Sequence, residues 1–116
     1  MRFLIVLTAL LVLCTSPKAE VHLKEFNANC GSGENYYKIV DENGAKVVEF
    51  GVNVPNPCYE ARAKLEGNKV VIELTRSGDF CTMCLAYGSG KVSVKGLEDF
   101  QVEVVVDGSV VKLKRR

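Results

Sequence analysis

The residues of this 116-residue chain most able to do chemistry are its cysteines, five in all. Cys81 and Cys84 form a C-x-x-C pair within residues 77–90 (SGDFCTMCLAYGSG), and Cys14, Cys30 and Cys58 complete the set. Three chemistries use such residues. A redox dithiol needs its first thiol at a helix N-terminus, where the dipole lowers the thiol pKa. Residues 80–87 (FCTMCLAY) read instead as a strand with no amphipathic helix after it. In an extended strand, residues three apart lie ~10 Å from each other and face opposite ways. A direct bond needs Cα atoms within ~7 Å. A Cys₄ zinc site would find one C-x-x-C half here, but Cys30 and Cys58 are too far apart to supply the other. A nucleophilic cysteine needs a histidine to activate it, and His22, the single histidine, stands alone near the start of the chain.

Other catalytic patterns are missing. G-x-S-x-G and H-E-x-x-H do not occur, and "GSGE" (31–34 with its Glu34) and "GSGK" (88–91) lack the spacing of a phosphate-binding loop. The carboxylate pairs Asp41-Glu42 and Glu98-Asp99 fall where turns are expected and read as solvated turn residues. No catalytic residue, metal or cofactor is therefore expected, and the protein reads as a non-enzyme. The alternative is a metal-binding or thiol-redox protein that uses Cys81 and Cys84.

The segment before residue 20 sets the compartment. MRFLIVLTALLVLCTSPKAE has a basic residue, Arg2, then an apolar run to Leu13, then small and polar residues, the layout of a signal peptide over residues 1–19. "LVLC" also resembles a lipobox, which would lipidate Cys14; an uncleaved anchor is the third outcome, so the membrane enters only through this segment. Each route exports the domain over residues 20–116, to a secreted or cell-surface location where disulfides persist. Four cysteines then remain, an even number that reads as a disulfide framework. With Cys81 and Cys84 on opposite strand faces, each takes its own partner. Cys58 opens a hairpin whose second strand returns towards Cys81, so Cys58–Cys81 with Cys30–Cys84 is the favoured pairing. A bulge between Cys81 and Cys84 would give Cys58–Cys84 with Cys30–Cys81 instead.

The elements that must position these residues are strands. The formal net charge is +1 and hydrophobic residues make up 47% of the chain, so no basic face for nucleic acid is expected. Residues 21–26 are short and β-prone, and residues 27–35 read as a loop. Residues 36–54 hold two β-rich runs around Asn43-Gly44, a strong hairpin signal. The Pro55-Asn56-Pro57 break follows, since proline has no N–H for a ladder. Tyr59, Ala61, Ala63 and Leu65 alternate with charged residues, Gly67-Asn68 turns the chain, and Val70, Ile72 and Leu74 continue the apolar face. Residues 91–95, 100–106 and 111–113 repeat that alternation around a turn at Asp107-Gly108. About eight short strands are expected after the N-terminal signal helix. They predict an all-β fold, an antiparallel β-sandwich, with a small β-barrel as the alternative.

The stretch GLEDFQVEVVVDG resembles the corner that opens the penultimate strand of immunoglobulin-like domains. Leu97 and Phe100 occupy its leucine and aromatic places, without the tyrosine hydroxyl. Residues 56–114 are likewise similar to small exported immunoglobulin-like domains of unassigned function. The resemblance implies an interaction module, on the cell surface or secreted, that meets a protein or surface ligand through its loops. The candidate loops are residues 27–35, 54–57 and 88–90; Tyr36, Tyr37, Tyr59 and Tyr87 are contact groups only if they escape the core.

Overall fold

The computed structural model describes residues 19–78 and 80–116. Residues 1–18, with Cys14 and the expected signal sequence, lie outside the described residues. Nine strands follow: β1 (Glu20–Cys30), β2 (Tyr36–Glu42), β3 (Ala45–Val54), β4 (Tyr59–Glu66), β5 (Lys69–Arg76), β6 (Ala86–Lys95), β7 (Gln101–Val106), β8 (Ser109–Val111) and β9 (Lys114–Arg115). They form a five-stranded sheet of order β1-β6-β3-β2-β9 and a four-stranded sheet of order β4-β5-β7-β8. The arrangement is sandwich-like, and among the described residues no closed barrel forms.

The expectation of antiparallel sheets needs correction. Most neighbours are antiparallel, but β5 and β7 pair in parallel, as do β2 and β9. Hairpin patterns in the sequence show only strands adjacent in the chain. The β5–β7 pair joins strands separated by an excursion through β6 in the other sheet, and local patterning carries no trace of it.

Turn chemistry accounts for the hairpins. Asn43 and Gly44 have φ of 49° and 79°, and Asp107 and Gly108 have 50° and 83°. Two successive positive φ values are the type I′ geometry whose twist matches that of the strands. Alternation then sorts the faces. Val48, Phe50, Val52 and Val54 of β3 meet Val70, Ile72 and Leu74 of β5 in one core, with Val92 and Val94 of β6 and Val104 of β7. Leu97 and Phe100 pack on its margin, and Phe100 is half-buried rather than sealed in the corner.

Three local readings differ from the structure. Residues 27–30, expected in a loop, complete β1, which continues because Asn27 and Asn29 point outward while Phe26 and Ala28 face inward. Residues 88–90, also expected in a loop, run through the middle of β6. Their glycines are required by close approach: a Cβ on Gly88 would lie 2.9 Å from the Phe26 ring. Residues 80–85, expected in a strand, are loop, and β6 begins at Ala86.

Candidate interaction surface

One end of the sandwich gathers the chemistry-bearing residues. β1 ends at Cys30 opposite Ala86, and β3 ends at Val54 opposite the same residue. In the other sheet, Tyr59 opens β4 opposite Arg76 at the close of β5. Residues 31–35, 55–58, 77–78, 80–85 and the β7–β8 turn therefore cluster at this end. The structure pairs Cys58 with Cys81 and Cys30 with Cys84, with Cα–Cα distances of 5.8 and 5.7 Å. The pairing is the one favoured from sequence, but the reason differs. Cys81 and Cys84 separate because they sit in a loop crossing between sheets, reaching β4 on one side and β1 on the other.

Backbone hydrogen bonds fix the same loop at both ends. Ser77 N donates to Cys58 O at 2.9 Å, and Gly31 N donates to Leu85 O at 2.9 Å. Asn56 Oδ1 accepts from Cys58 N at 2.9 Å, which shapes the Pro55-Asn56-Pro57 turn beside the first staple. Between these anchors the loop turns its apolar side chains outward: Phe80 is 96% exposed, Met83 96% and Leu85 74%. Disulfides and backbone bonds hold a surface that no core packing holds.

Sequence reasoning placed Phe80, Met83 and Leu85 in a strand and so missed them. A signal was present. Their spacing of three and then two residues fits neither face of a strand, and Ser77-Gly78 just before them is a loop dipeptide.

The neighbouring loop is also fixed. Asn53 Nδ2 donates to Gly33 O at 2.6 Å and to Asn35 Oδ1 at 2.9 Å, while Gly33 N donates to Asn53 Oδ1 at 3.1 Å. Tyr87 Oη donates to Glu34 O at 2.5 Å. Tyr36 and Tyr37 are half-buried under the last strand, with the Arg116 guanidinium 3.8 Å above the Tyr36 ring. Of the candidate tyrosines, Tyr36 and Tyr87 hold the loop end together, Tyr37 packs against the core from β2, and Tyr59 belongs to the core.

Tyr59 adds a titratable group to this end. Its side chain is buried, and its hydroxyl donates to Asp107 Oδ2 at 2.5 Å. Burial first, and then the bond to the carboxylate, push its phenol up to about 12. A folded pKa above the unfolded value of about 10 favours the neutral phenol in the fold. The contribution is full below pH ~10 and is lost as pH rises through about 12. Melting point measured against pH should fall across that window, and Tyr59→Phe should flatten the fall while lowering stability at neutral pH.

Other candidates gather no chemistry. His22 is exposed at the far end of β1, 3.7 Å from the Glu20 carboxylate. Among the described residues no three of His, Cys, Asp and Glu converge as metal ligands. The outer face of the larger sheet carries alternating charges, Glu25, Lys91, Glu49 and Lys38, linked at 3.6–3.8 Å across β1, β6, β3 and β2. Such exposed pairs contribute little each, and their alternation leaves no field for a charged ligand. Comparison with protein-family models, curated proteins and solved structures finds no match to this chain.

Proposed function

We propose that this chain is an exported, non-enzymatic interaction module that meets its partner through the stapled loop. The observation that carries the reading is the exposure of Phe80, Met83 and Leu85 on a loop tied down by two disulfides. Contiguous exposed apolar surface of a few hundred Å² is uncommon on a monomer and marks contact sites. Pinning the loop before contact lowers the entropy that binding must overcome. Two disulfides favour an oxidising compartment, in keeping with the signal-like segment at residues 1–19. The likeness to immunoglobulin-like domains is part of this proposal and concerns layout: two sheets, with contact loops gathered at one end. The parallel β5–β7 pair distinguishes its strand order from that of an all-antiparallel domain.

The competing reading makes Cys81 and Cys84 a working dithiol or a zinc half-site. Both would require free thiols, so one measurement separates them. Protein recovered from its native cells without reductant is expected outside the cytoplasm, with no free thiol and no zinc. A cytoplasmic protein with two or four reactive thiols would sink the module reading and restore the redox one.

A further inference from the structure

We propose that the stapled loop is a self-association element. Phe80 of one copy seats in the depression between β5, β7 and the β7–β8 turn of a second copy, beside that copy's Val110, and the contact is reciprocal. This inference rests on the interaction-module reading and names its partner.

The loop supplies the knob. Phe80, Met83 and Leu85 together expose on the order of 500 Å² of apolar side chain. The second sheet supplies the hole. Glu73, Leu74, Thr75, Val105 and Gly108 line a depression of about 260 Å³. An aliphatic cavity of roughly 150 Å³ already accommodates a benzene ring. Val110, the remaining large apolar residue that is strongly exposed among the described residues, lies opposite Val105 in the β7–β8 ladder. Two further depressions are lined by charged groups, one by Glu25, Glu49 and Lys91 and the other by Asp41, Lys46 and Glu98. Seating a phenyl ring in either would strip water from several charges, whereas the hole on the second sheet has Glu73 alone, already paired with Lys64 Nζ at 2.6 Å.

Placement makes the contact reciprocal. Thr75 in the hole is two residues before Ser77, where the loop starts, and Asp107 N donates to Leu74 O at 3.0 Å to hold the turn against the same strand end. Knob and hole therefore lie at the same end of the sandwich, where a two-fold axis can make the contact reciprocal. Loop, hole rim and Val110 amount to roughly 700 Å² per copy, close to the ~800 Å² per partner of a standard interface. The net charge is close to zero with or without residues 1–19, so it imposes little repulsion between copies.

A bilayer fits less well. Interfacial insertion draws on several flanking Lys or Arg; here Arg76 is the basic residue beside the loop, and Lys91 is paired with Glu25 and Glu49 on the outer face of the larger sheet. Glu20, where the N-terminal segment joins the domain, lies at the opposite end of the eleven-residue β1, ~35 Å away at strand rise. A membrane holding that segment would leave the loop pointing outward.

Sedimentation equilibrium of the purified oxidised protein over a dilution series is expected to show monomer and dimer. Phe80→Ser should raise the dissociation constant about 10²–10³-fold, because the interface contains the ring twice. Thr75→Arg, at an exposed position outside the loop, should do the same by filling the hole, and both variants should keep the wild-type melting point at concentrations low enough that all three proteins are monomeric. Mixing the two variants should restore an intermediate affinity, since their heterodimer retains one intact knob and hole. A wild-type protein that stays monomeric overturns the inference, whether or not it sediments with phosphatidylcholine vesicles. So does a dimer insensitive to Thr75→Arg, which would place the loops against each other instead. None of these outcomes alters the thiol count or the location, so self-association can fail while the module reading stands.

Discussion

Replacing Cys30, Cys58, Cys81 and Cys84 together by alanine is expected to lower the unfolding free energy by about 6–7 kcal/mol, leaving the domain largely unfolded near physiological temperature. The two bonds close loops with sequence separations of 23 and 54 residues. Chain-entropy estimates give about 3.5 and about 4 kcal/mol respectively. The loops are nested, so with Cys58–Cys81 in place the path between Cys30 and Cys84 shortens to roughly thirty residues. Closure entropy varies only as the logarithm of length, so nesting removes only a few tenths of a kcal/mol. Each pair removed alone should cost about 3 kcal/mol, measured by urea unfolding. Removing Cys30–Cys84 should also release the Gly31 amide to fast hydrogen exchange, because its acceptor Leu85 O belongs to the freed loop. A four-alanine chain that unfolds within 1 kcal/mol of the wild type, roughly the median cost of any substitution, would show that the sheets need no staples.

The strands were legible where local rules act alone. Asn43-Gly44 and Asp107-Gly108 combine a turn demanding positive φ with flanking alternation, so those hairpins follow from neighbouring residues. The β4–β5 hairpin is as clear, although Ala, Glu and Arg are good helix formers; its apolar alternation decides. The parallel pairs were not legible. They depend on which strands a sheet accepts after the chain has crossed to the other sheet and returned, and no local pattern records that. β9 is the extreme case, two basic residues kept beside β2 by hydrogen bonds from Lys114 N to Asn35 O and from Arg116 N to Tyr37 O, with Arg115 over the Tyr37 ring and Arg116 over the Tyr36 ring.

At the site, the cysteine partners could be anticipated and the surface could not. Parity and spacing bear on which cysteines meet. Whether Phe80 and Met83 face a core or the solvent depends on where β6 begins, and "FCTMCLAYGSG" is β-prone throughout. The glycines misled in the same way. Gly88 and Gly90 look like loop residues, but β6 needs them where two phenyl rings cross it, a demand visible only once the sheet exists.

Those rings carry the second large effect. Phe50→Ala is expected to cost about 3–5 kcal/mol, the range for removing a sealed aromatic side chain. Phe50 is 1% exposed on the central strand of the larger sheet and stacks on Phe26, with centroids 6.1 Å apart and planes 11° from parallel. Gly90 lies under the ring: a Cβ there would come within 2.9 Å of Phe50 Cζ and 2.4 Å of the Glu25 carbonyl oxygen. Gly90→Ala alone should cost about 2–3 kcal/mol by overpacking. In the Phe50→Ala background the ring is gone but the carbonyl remains, held by the ladder between β1 and β6. The second substitution should then cost less, though not nothing, so the double variant should be more stable than the summed losses by about 1 kcal/mol. Urea unfolding of the four proteins completes the cycle. Strict additivity would mean that ring and strand do not touch, and a Phe50→Ala loss below about 1 kcal/mol would mean that β3 presents its other face to the core.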